Sequence, residues 1–137
     1  MKKINATKQE FVDLINGLFQ VQELKGKKFS LLVSKNLNIL QKNLEDVQKA
    51  GTPSEEFLEL AQKVNMIASG KAPDSQEQID KLEAENKELV EARKEQMAKV
   101  TEMLKEEIEL ELNMLPEDTL PEDVTAKQIN SIINIIE

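Results

Sequence analysis

The side chains in this sequence that could do chemistry are carboxylates and lysines. Acidic pairs stand at Glu55-Glu56, Glu106-Glu107, Glu117-Asp118 and Glu122-Asp123, the last two each following a proline in a repeated Leu-Pro-Glu-Asp unit. Paired carboxylates can hold a divalent cation. A calcium loop, however, needs ligands at alternate positions, a central glycine and a terminal glutamate, and no stretch of the chain has that spacing. Acids directly after proline fit helix-start or turn chemistry, where they meet the positive end of the helix dipole. Lys25, Lys27 and Lys28 surround Gly26, with Lys35 two turns on. A lysine cluster beside a glycine at a helix start could receive a phosphate, but the G-x-x-x-x-G-K-[ST] pattern is missing. With no arginine or interleaved aromatic residue in that region there is little to read a base. Direct nucleic-acid binding is not expected; the cluster reads as a basic tip contacting an acidic partner, or as having no function beyond solubility.

The chain has no histidine and no cysteine. That removes nucleophilic triads, zinc sites and most transition-metal sites. Carboxylate-only catalysis survives the cut, but it normally lines a pocket built on a larger scaffold. The expectation is a chain that is not an enzyme and takes no cofactor and no metal. Absence of cysteine fits a reducing cytoplasm. No apolar run approaches a membrane span, and the opening residues lack the apolar stretch of a signal peptide. A cytoplasmic protein with no membrane partner is expected.

Net charge is −8, unevenly spread: residues 1–50 carry nine lysines against five acids, and residues 51–137 carry nine Lys/Arg against twenty-one acids. This polarity reads as a solvated surface or as two faces with different partners.

These groups must be positioned by helices. Thr7-Lys8-Gln9-Glu10 has the form of a capping box, and Phe11, Leu14, Ile15 and Leu18 follow at the spacing of one helix face. Gly26 ends that helix. Phe29, Leu32, Val33, Leu37, Leu40, Leu44 and Val47 form a second stripe up to Gly51. The two helices fold back as a tight hairpin, or run on as one kinked rod. Thr52-Pro53-Ser54-Glu55 predicts a third helix capped by Thr52 with Pro53 at its first position. Phe57, Leu60, Ala61, Val64 and Ile67 supply its apolar face, and Gly70 to Pro73 break it.

Asp74 or Ser75 then caps a long charged helix, with Glu77 or Gln78 completing the box. It runs to about Lys105, and a heptad register places Ile79, Asn86, Arg93 and Val100 at one core position and Leu82, Leu89, Gln96 and Met103 at the other. Asn86 could fix the register of a coiled coil, giving a homo-oligomer through residues 79–104; alternatively this helix packs one broad face on the other three. Ile108, Leu110, Leu112 and Met114 alternate with polar residues, a period of two. Residues 107–115 therefore read as a short strand pairing with residues 1–5, bringing the N-terminal lysines beside the glutamates. The alternative is that the helix continues through residue 112. Thr125 to Gln128 cap a short last helix, with Val124 and Ile129 as a hydrophobic staple. Ile129, Ile132, Ile133 and Ile136 form its apolar stripe, docking on the chain's own core or in a groove of another protein.

The expected fold is mostly α: a helical hairpin or bundle with one long charged helix, a strand pair and a C-terminal helix. Residues 1–70 hold the hairpin and third helix, 71–74 a hinge, and 75–137 the rest, one domain overall. The segments Phe11-x-x-Leu14-Ile15-x-Gly17-Leu18, Leu24-Lys25-Gly26-Lys27-Lys28-Phe29 and Val33-x-Lys35-Asn36-x-x-x-Leu40 resemble an uncharacterised family of small tailed-phage proteins. That resemblance implies a Lys-Gly-Lys link between opening helices, a long charged helix, a strand-like segment and a short closing helix. It also implies a viral source, the host cytoplasm as location, and a non-enzymatic accessory role. The expected activity is therefore protein-protein binding by a phage accessory or assembly protein. Candidate contact residues are Lys25, Lys27, Lys28, Asn86, Arg93, Ile129, Ile132, Ile133 and Ile136. Two alternatives are an acidic inhibitor that imitates nucleic acid to block a host defence nuclease, and a minor virion component.

Overall fold

Thr7 closes a strand and opens a helix, and much of the fold follows from that junction. In the computed structural model, which describes residues 1–137, β1 is Lys2–Thr7 and α1 is Lys8–Val21. The Thr7 hydroxyl accepts from the Glu10 amide at 3.1 Å. After Gly26, whose φ of +144° only glycine adopts without strain, come α2, Lys27–Asn43, and α3, Glu45–Gly51. Next are α4, Glu55–Ser69, α5, Ser75–Glu85, and α6, Lys87–Leu104. β2, Glu107–Leu112, a 3-10 turn at Glu117–Thr119, α7, Ala126–Ser131, and a second 3-10 turn at Ile133–Ile135 complete the chain. No helix is long and apolar enough to cross a membrane.

The chain forms two compact units, Met1–Val47 with Glu102–Glu137, and Gln48–Thr101. The 71–74 loop, expected as the hinge of the molecule, lies inside the second.

The first unit holds almost all of the core. α1 gives Phe11, Leu14, Leu18 and Val21, and α2 gives Phe29, Val33, Leu37 and Leu40. The two helices fold back on each other as the hairpin expected from the short Gly26 link. Leu110, Leu112, Leu115, Ile132 and Ile135 close the core from the C-terminal side. The strand pair is antiparallel, with Ile4 opposite Leu110 and Ala6 opposite Ile108. The period of two thus places Ile108, Leu110 and Leu112 inward and Glu107, Glu109 and Glu111 outward. Lys3 reaches Glu109 at 3.9 Å, as expected of lysines paired across this sheet.

The second apolar stripe is not one helix through Val47. It breaks at Leu44, whose φ of −108° and ψ of 12° leave helical geometry, and α3 restarts with Glu45 and Asp46 in its first turn. The bend lets Leu44 and Val47 both be buried.

Two contacts that no periodicity announces lock this unit. Asn36 is fully buried: its Nδ2 donates to the Asn113 carbonyl at 2.8 Å and its Oδ1 accepts from the Asn113 amide at 2.8 Å. The side-chain amide thus acts as a one-residue strand partner at the end of β2. Gly17 lies where α1 meets α7; a Cβ there would stand 2.6 Å from the Ser131 carbonyl oxygen.

The second unit is an antiparallel pairing of α4 with α5, continued by α6. Ser54, not Thr52, caps α4, accepting from the Phe57 amide at 3.2 Å. The Thr52 hydroxyl is instead committed to the Gln48 carbonyl at 2.9 Å, closing α3. At the far end Gly70 stays right-handed and Lys71 takes the left-handed position, at φ +50°. Asp74 occupies the cap position of α5 without a side-chain bond to it, so no capping box forms there. The long charged helix is interrupted at Asn86, whose Nδ2 donates back to the Leu82 carbonyl at 2.9 Å. An asparagine amide competing with the main chain is the local cause of the break.

Candidate protein-binding surfaces

Every heptad position expected of the long helix is half-buried or buried, and most residues between them are exposed. Of these positions only Val100 is fully buried. On α4, Phe57, Leu60, Ala61, Val64 and Ile67 form the matching seam, yet in the second unit only Leu60 and Val100 are fully buried. Two of the three polar core positions, Arg93 and Gln96, share a defined task. Arg93 Nη1 donates to the Gly51 carbonyl and to Gln96 Oε1, both at 2.8 Å. Gln96 Nε2 donates to the carbonyls of Ala50 and Thr52 at 2.8 and 2.7 Å. Together they hold the carbonyls that α3 leaves unsatisfied at its end, and the Arg93 guanidinium lies over the Phe57 ring, 5.6 Å from its centroid.

Where Asn86 breaks the run, the helices leave an open groove of about 830 Å³. Leu60, Leu89, Ala84 and Ala92 give it apolar surface. Its charged lining is Glu56, Glu59 and Lys63 on α4, and Glu85, Lys87 and Glu88 across the break. Four carboxylates against two lysines favour a basic occupant. Asn86 is therefore a groove residue, and Arg93 sits just beyond it in the clamp.

The C-terminal isoleucines divide differently from the expected stripe. Ile132 and Ile135 are fully buried, Ile129 and Ile136 are half-buried, and Ile133 is exposed. The reason is helical pitch. α7 ends at Ser131 and tightens into a 3-10 turn, so three-residue spacing carries Ile129 to Ile132 to Ile135. Leu115 then anchors the end: its amide donates to the Ile135 carbonyl at 2.7 Å, and its carbonyl accepts from Glu137 at 2.9 Å. The Thr125 and Gln128 capping box is complete. This segment docks on its own core and leaves only Ile133 as free apolar surface.

Lys25, Lys27 and Lys28 are exposed at the start of α2. They belong to a longer feature: α2 carries four lysines and no acid, and Lys28, Lys35 and Lys42 repeat every seven residues. Leu31 and Asn38 fall on the same face, and all five residues are exposed, Leu31 by 53%. The repeat was visible in the sequence but was masked by the apolar stripe on the opposite side of the helix.

Lys8 is the one buried charge. It donates to Glu106 at 2.8 Å and to Asp46 at 3.0 Å. These bonds, to Glu106 first and then Asp46, hold the Lys8 ammonium above its ordinary pKa, and the bond from Lys8 holds Asp46 below the usual carboxylate range. Asp46 and Glu106 flank the two points where the chain leaves and re-enters the first unit. The arrangement neutralises itself and serves structure. The acidic pairs of the sequence do not converge: no group of three or more carboxylates is placed to hold a metal ion. Set against protein-family models, curated proteins and solved structures, the chain matches none of them.

Proposed function

We propose that this chain is a non-catalytic accessory or assembly protein, in keeping with its resemblance to small tailed-phage proteins, and that it works by binding another protein through the α4–α6 hairpin. The observation that carries the reading is the groove at Asn86. It has an apolar floor, an acidic margin and a seam too thin to close over it. Its occupant is a basic amphipathic helix, whose apolar face covers Leu60 and Leu89 while its lysines or arginines meet Glu56, Glu59, Glu85 and Glu88. Absence of histidine and cysteine supports a contact role over a chemical one. So does the pairing of Lys8 with Asp46 and Glu106, which leaves that buried charge neutralised.

The test is cross-linking mass spectrometry on complexes captured by the tagged chain, with Glu59→Lys/Glu88→Lys as the comparison. The expected result is a partner whose cross-links run from a basic helix to the groove, and which is lost on charge reversal. A partner retained undiminished by the reversed groove would end this reading.

Nucleic-acid mimicry draws on a different observation: residues 102–137 hold ten acids against two lysines. Glu107, Glu109 and Glu111 share the outer face of β2. Competition between the chain and duplex DNA for a defence nuclease separates the two readings.

A further inference from the structure

The chain carries, on its own α2, a helix of the kind its groove accepts. Lys28, Leu31, Lys35, Asn38 and Lys42 follow one another at three- and four-residue steps along a single face. None is used in the core: the inward positions of α2 are Phe29, Val33, Asn36, Leu37 and Leu40. α2 contains no acid to neutralise the lysines. Leu31 is a large apolar side chain standing in water between two of them, 53% exposed. In the same chain the groove offers carboxylates on both sides, Glu56 and Glu59 on α4, Glu85 and Glu88 across the break, with Leu60 and Leu89 in its lining.

We propose that the occupant of the groove is a second copy of this chain, which inserts Leu31 of its α2 against Leu60 and Leu89 while Lys28 and Lys35 meet the flanking glutamates. This rests on the reading of the groove given above. The dimensions agree: seven residues of helix separate Lys28 from Lys35 by about 10 Å, comparable to the 8–10 Å between the axes of packed helices. Lysines on either side of Leu31 can therefore reach opposite margins. The groove, at about 830 Å³, has room for a leucine and the aliphatic stems of two lysines. The contact joins two different surfaces, so a dimer keeps one free α2 and one free groove, and association continues past it unless a ring closes.

The experiment is sedimentation velocity on the full chain across a concentration series, at about 0.05 M and about 0.5 M salt. Wild type is expected to grow in size with concentration at low salt and return towards monomer at high salt. Leu31→Glu, Lys28→Glu/Lys35→Glu and Glu59→Lys/Glu88→Lys should each weaken association by about tenfold or more. Circular dichroism should show unchanged folding, because all the substituted side chains are exposed. The deciding arm mixes the second and third variants: each alone sets like charge against like, whereas the mixture restores opposite charges at both contacts and should associate again. A chain that stays monomeric at low salt overturns the proposal, as does an oligomer that survives these substitutions. If the monomeric chain still captures another protein and loses it with Glu59→Lys/Glu88→Lys, self-association fails while the groove reading stands. If that capture is also unaffected, both fail. Binding of duplex DNA to the α2 lysines of a monomeric chain would likewise count against the second copy as occupant.

Discussion

Gly17→Ala sets two calculable effects against each other. In an isolated helix the change is favourable by about 1 kcal/mol, because alanine is the best helix former and glycine among the worst. Here the new methyl would lie 2.6 Å from the Ser131 carbonyl oxygen, 3.0 Å from its Oγ and 3.1 Å from Ile132 Cγ2. An ordinary carbon-oxygen contact is about 3.4 Å, so relief needs a shift of roughly 0.8 Å. The obstructing atom is main chain at the end of α7, one residue before fully buried Ile132 and four before fully buried Ile135. Moving it disturbs both, and also the short bonds between Leu115 and the C-terminal segment. Overpacking of that kind costs about 1–3 kcal/mol beyond what the methyl gains by burial. Set against the propensity gain, the expected net effect is destabilisation by about 0–2 kcal/mol, centred near 1, which is a fall in Tm of roughly 4–8 °C at that centre for a unit of this size. The chain has no Trp or Tyr, so the assay is thermal and urea unfolding followed by far-UV circular dichroism. Asn16→Ala, exposed on the same helix, is the control; it reports propensity alone and should stabilise by about 0.5 kcal/mol. If Gly17→Ala raises Tm as the control does, the close crossing of α1 and α7 is wrong, and the placement of the C-terminal isoleucines falls with it.

Asn36→Leu should destabilise the first unit by about 2–4 kcal/mol in the same assay, since it strands both the amide and the carbonyl of Asn113. Faster hydrogen exchange at the Asn113 amide would mark the cause. Asp46 has a depressed pKa when folded, so its contribution is present above the unfolded value near 3.8 and is lost as pH falls through the lower folded value. Lys8, held above 10.5, contributes below that value and loses its contribution as pH rises through the folded one. Because the partner carboxylates are more than half exposed, Lys8→Met should cost no more than about 1 kcal/mol at neutral pH. Tm measured against pH should show the acid and alkaline losses shrink in this variant. Lys71→Gly should stabilise by about 0.5–1 kcal/mol in urea unfolding, because it relieves a left-handed backbone at a fully exposed loop position.

What the sequence disclosed depended on whether a signal was local. Thr7 and Thr125 act as caps because each has a free hydroxyl at the right offset from the helix amides. Thr52 has the same offset, but its hydroxyl was already taken by Gln48, and Ser54 replaced it. The alternation from Ile108 to Leu112 exposed the strand because a period of two cannot bury one face of a helix. Asn36 lies on the inward face, three residues after Val33 and four before Leu40, but nothing local names its partner, Asn113, 77 residues on. Gly17 was silent for the same reason, its meaning depending on Ser131. Arg93 and Gln96 looked like flaws in a heptad. Their donors satisfy the carbonyls of Ala50, Gly51 and Thr52, a role that no pattern within residues 75–105 states.

That contrast bears on where function can reside. The first unit holds most of the buried apolar side chains, though Phe19, Leu31 and Ile133 stay exposed, and its buried side-chain polar atoms are all satisfied. The second has only Leu60 and Val100 fully enclosed, gives two of its core positions to capping a turn, and breaks its longest helix opposite Leu60. A helical pairing with so few enclosed apolar side chains keeps apolar surface within reach of water. Adding a third helix across the groove would bury the half-exposed Leu89 above the already enclosed Leu60. It would also place cations among four carboxylates that share the groove lining with two lysines. The hairpin would therefore gain from a partner in the same terms of burial and charge that stabilise the first unit.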